Sequence, residues 1–136
     1  ALSGKCSRVH TIEVEPTLAS LARARFAGRP SITVQEGDSA PLLPDLCRRI
    51  ETPCLFYLDG HYFGGYTGKG EKECPAIEEL SAIFTHTRQP FRIIMDDARL
   101  FGTDPSYPAL LEVRAFLERN APDRQMRIEN DAIIIS

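Results

Sequence analysis

Two short apolar runs in this chain of 136 residues end in acid: Leu55-Phe56-Tyr57-Leu58-Asp59-Gly60-His61 and Arg92-Ile93-Ile94-Met95-Asp96-Asp97. Aspartate oxygens are hard ligands, suited to Mg²⁺ or a similar ion and not to a thiolate-loving metal. Three carboxylates brought to one edge repel unless protons or a cation intervene, so Asp59, Asp96 and Asp97 predict either shifted pKa values or a divalent metal. His61 lies two residues beyond Asp59, and an imidazole there could take a proton from an acceptor hydroxyl. Simpler roles stand beside these: Asp96 or Asp97 as a cap on the following turn, Asp59 as the opening of a β-turn with Gly60, and His61 as a solvated loop residue.

Glu13 closes another apolar run, Val9-His10-Thr11-Ile12, where a carboxylate can accept hydrogen bonds from both hydroxyls of a nucleoside ribose or be solvated at the surface. Asp38 and Ser39 follow Gly37 in a turn and could meet an adenine edge or cap the next helix. The segment Phe63-Gly64-Gly65-Tyr66-Thr67-Gly68-Lys69-Gly70 is not a phosphate-binding loop: Phe63 stands where its first glycine should be, and Gly70 follows Lys69 where Ser or Thr is needed. A substrate-covering loop is expected there, with Tyr62, Phe63 and Tyr66 available for contacts.

These residues must be held by a frame, and the apolar periodicity supplies one. A strand over 9–14 leads through Pro16 into a helix with Leu18, Leu21, Ala22 and Phe26 at helical spacing. Ser31 to Val34 is a second strand, followed by a helix from Leu42 to Ile50 and the strand Leu55 to Leu58. Pro75 opens a helix with Ile77, Leu80, Ile83 and Phe84 on one face, and the strand Arg92 to Met95 follows. A helix after Pro108 carries Leu110, Val113 and Leu117, and Met126–Glu129 pairs with Ala132–Ile135 across Asn130-Asp131 as an antiparallel hairpin. Strands alternating with helices predict a three-layer α/β fold with a mostly parallel sheet, its runs buried, and a C-terminal hairpin. In such sheets ligands bind beyond the carboxyl ends of the strands, where Glu13, Asp38, Asp59 and Asp96 all fall.

One domain spanning 1–136 is expected at this length. With 16 basic and 19 acidic residues the formal net charge is -3, and no basic stretch would track a phosphate backbone, so nucleic acid is not expected as a partner. No apolar stretch approaches the roughly 20 residues that span a bilayer, and no secretory signal opens the chain. Cys6, Cys47, Cys54 and Cys74 form no Cys-x-x-Cys pair, which favours reduced thiols and a soluble cytoplasmic protein.

The strand with Glu13, the turn Gly37-Asp38-Ser39-Ala40 and the pair Leu58-Asp59-Gly60-His61-Tyr62 and Met95-Asp96-Asp97 together resemble class I S-adenosylmethionine-dependent methyltransferases, in particular metal-dependent O-methyltransferases of the catechol and macrocin types. The resemblance implies a Rossmann-like methyltransferase fold, with Glu13 as the ribose acid, Asp38 and Ser39 in the adenine-contacting turn, and Asp59, Asp96 and Asp97 as metal ligands. His61 stands where the macrocin-like branch has an acid proposed as base. The family's first strand and Gly-rich turn have no counterpart after Ala1, so the resemblance implies an N-terminally truncated fold with an interrupted sheet.

The function this implies is methyl transfer from S-adenosylmethionine to a small-molecule hydroxyl, assisted by Mg²⁺ or a similar cation. The alternative is a non-catalytic or partner-completed binding and assembly module, and a homo-oligomer is open under either. A dinucleotide-dependent oxidoreductase would use Glu13 in the same way but leaves Asp96-Asp97 without a role.

Overall fold

The computed structural model describes residues 6–59 and 74–136. Strands and helices alternate through them: β1 (Val9–Glu13), α1 (Pro16–Phe26), β2 (Ile32–Glu36), α2 (Ser39–Arg48), β3 (Cys54–Leu58), α3 (Ala76–His86), β4 (Phe91–Met95), α4 (Leu110–Asn120), β5 (Met126–Glu129) and β6 (Ala132–Ile135). The strands form two hydrogen-bonded sheets, a parallel β1-β2 pair and a four-stranded sheet in the order β3-β4-β6-β5. Among the described residues no strand joins the two. The chain falls into two compact units, comprising residues 6–39 and residues 40–59 with 74–136 of those described. No helix among the described residues is long and apolar enough to cross a membrane.

In the first unit, β1 and β2 pair from Val9↔Ile32 to Glu13↔Glu36, so both strands present acids at the same end. Helix α1 starts where sequence predicts, with Pro16 in its first turn and the Glu15 carboxylate accepting the Leu18 N–H at 2.7 Å. Its buried stripe is not the expected one. Ala19 is fully buried, whereas Leu18 and Leu21 are 39% and 61% exposed. Ala19, Ala22 and Phe26, spaced i, i+3 and i+7, give the inward stripe. A two-stranded sheet offers a narrow face that small residues suffice to meet.

The second unit contains most of the core. β3 and β4 are parallel, with Leu58 opposite Met95, while β6 runs antiparallel between β4 and β5. Ile93, Ile133, Ile135, Leu80, Ile83 and Val113 are all fully buried. Phe56 of β3, Phe91 of β4, Phe84 of α3 and Phe116 of α4 form a chain of tilted and edge-on ring contacts with centroids 5.2–5.9 Å apart. Both α3 and α4 therefore reach the sheet face that carries Phe56 and Phe91. The β3 run alternates: Leu55 and Tyr57, expected to be buried, are 41% and 49% exposed because they lie on the opposite face from Phe56.

The hairpin follows the expected pairing residue for residue, and its turn explains why. Asn130 and Asp131 have φ values of 50° and 62°, the left-handed pair needed by a two-residue hairpin turn, and Asn and Asp tolerate that region best after Gly. Helix α2 begins at Ser39, three residues before the expected start, directly after Asp38.

Candidate functional site

At the carboxyl end of the first unit's sheet, the Glu13 carbonyl accepts the Gly37 N–H at 2.9 Å, closing β1 against the turn that leaves β2. Gly37 has a φ of 142°, a conformation that side chains other than glycine's rarely adopt, so the turn needs this residue. The Glu13 side chain is half-buried, and its Oε1 accepts the Glu15 N–H at 2.9 Å, which fixes the carboxylate and leaves Oε2 for a donor from a ligand. Neighbouring Glu36 is directed elsewhere, to Arg23 at 3.1 Å. Asp38 and Ser39 are half-buried and lie at the start of α2, a position that suits a cap as well as a ligand contact. Thus Glu13, Asp38 and Ser39 share one end of one unit. A half-buried carboxylate with one oxygen fixed by backbone and one available suits a vicinal diol such as a ribose.

In the second unit the Asp96 N–H donates to the Leu58 carbonyl at 3.0 Å, which continues the β3-β4 ladder and sets Asp96 beside Asp59. Both line a small recess of about 20 Å³ together with Cys74, Glu79, Phe101 and Tyr107. A space of that size holds about one water-sized group. The Asp96 carboxylate is tied twice: Oδ1 accepts the Asp97 N–H at 2.9 Å, and Oδ2 accepts the Tyr57 hydroxyl. That hydrogen bond, reinforced by burial and by the charges of Asp96, Asp59 and Asp97, pushes the Tyr57 hydroxyl up to about 12. Burial, followed by nearby acids, pushes the Cys74 thiol up to about 11 against the pull of the Ala76 N–H. The Tyr107 hydroxyl is also raised, chiefly by burial.

Asp97 is set apart. Its backbone is left-handed, with φ 55° and ψ 44°, at the head of a short 3-10 turn over Ala98–Leu100. Its carboxylate, only 15% exposed, meets the Arg99 guanidinium at 2.7 Å. The same guanidinium contacts the Asp131 carboxylate in the hairpin turn, whose other oxygen accepts the Arg99 N–H at 2.9 Å. The three acids expected as a metal set therefore lie at one sheet edge, Asp59 after β3 and Asp96 and Asp97 after β4, but Asp97 is paired with an arginine. Among the described residues no group of three His, Cys, Asp or Glu side chains is arranged to hold a metal ion. These residues, as arranged, do not fit a three-carboxylate cation site. His61, expected as general base, and the expected loop over 63–70 lie outside the described residues.

Sequence reasoning passed over several residues of this edge. Glu79 is only 3% exposed, and the signal was its place within the apolar stripe of α3 between Ala76 and Ile83. Tyr57 was legible from register: it faces Ile94, so Asp96 is its diagonal neighbour on the same face. Arg99 gave no signal, because its partner Asp131 lies 32 residues away in a hairpin turn.

Solved structures are similar to the chain, among them the following three. The O-methyltransferase TomG from Streptomyces achromogenes, involved in tomaymycin synthesis and solved with SAM, aligns over 94% of this chain with a TM-score of 0.58 and 21% identity. The fold is one shared with solved methyltransferases. The O-methyltransferase from Bacillus cereus, in complex with SAH, gives a TM-score of 0.57 at 16% identity, and a Clostridium thermocellum protein named as an rRNA methylase gives 0.59 at 15%, each over 94% of this chain. The chain spans 60% of the length of TomG, 61% of the Bacillus cereus enzyme and 73% of the Clostridium thermocellum protein. No protein-family model matches the chain, and neither does any curated protein.

Proposed function

We propose that this chain carries, each in its own unit, cofactor-binding residues and acceptor-side residues of an S-adenosylmethionine-dependent methyltransferase acting on a hydroxyl of a small molecule. The observation that carries the proposal is Glu13, half-buried at the carboxyl end of a parallel strand with one carboxylate oxygen held by the Glu15 N–H. In this role Glu13 accepts the ribose hydroxyls, and the turn with Asp38 and Ser39 meets the adenine. Bound S-adenosylmethionine supplies a methyl group on sulfonium, open to in-line attack by the acceptor oxygen. The edge of β3 and β4 supports the acceptor side: Asp59 and Asp96 border a recess that Phe101 and Tyr107 also line. A hydroxyl held there by a carboxylate is oriented before it reacts, which is the larger part of what a methyltransferase must supply. His61 is the base proposed for the hydroxyl proton.

The cation-assisted form of the reaction lacks a seat of three carboxylates in this arrangement, and no step is assigned to an ion. The likeness to O-methyltransferases favours an oxygen acceptor, and the net charge of -3 without a basic tract argues for a small molecule over RNA. Incubating the protein with methyl-labelled S-adenosylmethionine and separate panels of catechols, sugars and ribosomal RNA tests this. Label is expected on a hydroxylated small molecule, transferred at a much lower rate by His61→Ala. Label on RNA alone would overturn the acceptor assignment, and label nowhere with intact cofactor binding would overturn the transfer.

A further inference from the structure

The acid pair after β4 is divided between two jobs, and Arg99 divides it. Asp96 borders the recess, while Asp97 turns through a left-handed backbone to meet the Arg99 guanidinium at 2.7 Å. The same guanidinium nitrogen, Nη1, meets a second carboxylate as well. The Asp131 carboxylate accepts both the Arg99 N–H, at 2.9 Å, and the guanidinium, and the Asp131 carbonyl accepts the Ala98 N–H at 2.8 Å. Asp131 can make these three bonds because it occupies the second left-handed position of the β5-β6 turn. A planar guanidinium between two carboxylates satisfies both with directed hydrogen bonds, and without it Asp97 and Asp131 would repel.

We propose that Arg99 is the resident counter-ion of Asp97, held in place by Asp131 of the hairpin turn, and that it keeps divalent cations off the acid pair. A divalent ion using Asp97 must first displace a guanidinium that two carboxylates and a backbone turn retain. Arg99 is thus a positioning residue: it acts through Asp97 and touches no reacting group. The proposal concerns the same sheet edge as the methyl-transfer function, but its test needs no cofactor, so a protein that binds no S-adenosylmethionine still decides it.

The test is Mn²⁺ binding to the apo protein, followed by the electron paramagnetic resonance of the free ion. The wild type is expected to bind Mn²⁺ only in the millimolar range. Arg99→Gln, which takes the guanidinium away from Asp97 and Asp131, should bind at least tenfold more tightly, whereas Arg99→Lys, which keeps the charge, should stay near wild type. Asp97→Asn in the Arg99→Gln background should abolish the gain. Micromolar Mn²⁺ binding by the wild type would overturn the proposal, as would equal affinity in wild type and Arg99→Gln. Exchange protection of the Ala98 and Arg99 amides, compared between the Gln and Lys variants, reports whether the hairpin contact persists; a gain equally large in Arg99→Lys would assign the effect to loosening of the turn and also overturn it.

Discussion

A tyrosine hydroxyl on a strand surface ordinarily ionises near pH 10, and that of Tyr57 is pushed up to about 12 because it donates to Asp96 within reach of Asp59 and Asp97. The protonated hydroxyl is favoured by the folded state, so its contribution to stability is complete below pH 10 and is lost as pH rises through about 12. Tyr57 is half-exposed, so the effect is modest. Ultraviolet titration should find Tyr57 ionising well above the ordinary value, and Asp96→Asn should bring it back toward that value. Unfolding midpoints between pH 10 and 12 should fall more steeply for wild type than for Tyr57→Phe. At this scale the sequence exposed Glu13, Asp59, Asp96 and Asp97, because acids ending apolar strands are a local pattern. It did not expose the pairing of Asp97 with Arg99 and Asp131, because a hairpin turn brought in from 32 residues away leaves no periodic mark.

The elements owe their positions to different causes, and so would break differently. Ile93 and Ile133 are fully buried in adjacent strands β4 and β6, so Ile133→Ala should cost about 2–5 kcal/mol in chemical unfolding as a transfer and cavity loss. Asn130 is fully on the surface side of the hairpin, yet Asn130→Ala should still cost about 1 kcal/mol, because its φ of 50° excludes most side chains. Asn130→Gly should be tolerated at that position, and the pair distinguishes backbone strain from lost contacts. Strand and helix order could be read from apolar period alone. The start of α2 and the buried face of α1 could not: α2 starts at Ser39 because the Gly37 turn ends there, and the stripe of α1 is set by Ala19 and not by the larger Leu21, whose side chain lies outward. Hydrophobicity locates a helix more reliably than the face it buries when the partner sheet is two strands wide.

At the level of the whole molecule, alternating strands and helices indicated an α/β fold with a terminal hairpin, the resemblance of its motifs to methyltransferases implied which one, and solved methyltransferases share that fold at 15–21% identity. Such identities carry architecture and not substrate, which loops determine. Because Asp97 is occupied by Arg99, cofactor binding should not depend on a divalent ion, and EDTA should leave it unchanged. Calorimetric titration of S-adenosylhomocysteine into the protein is the most direct trial of the proposed function. Saturable binding of one ligand per chain is expected, weakened roughly ten- to hundredfold by Glu13→Gln, as loss of a hydrogen bond to a charged acceptor worth about 1.5–3 kcal/mol requires. No heat at millimolar ligand, or equal affinity in wild type and Glu13→Gln, would refute Glu13 as the ribose acid and with it the methyl-transfer function.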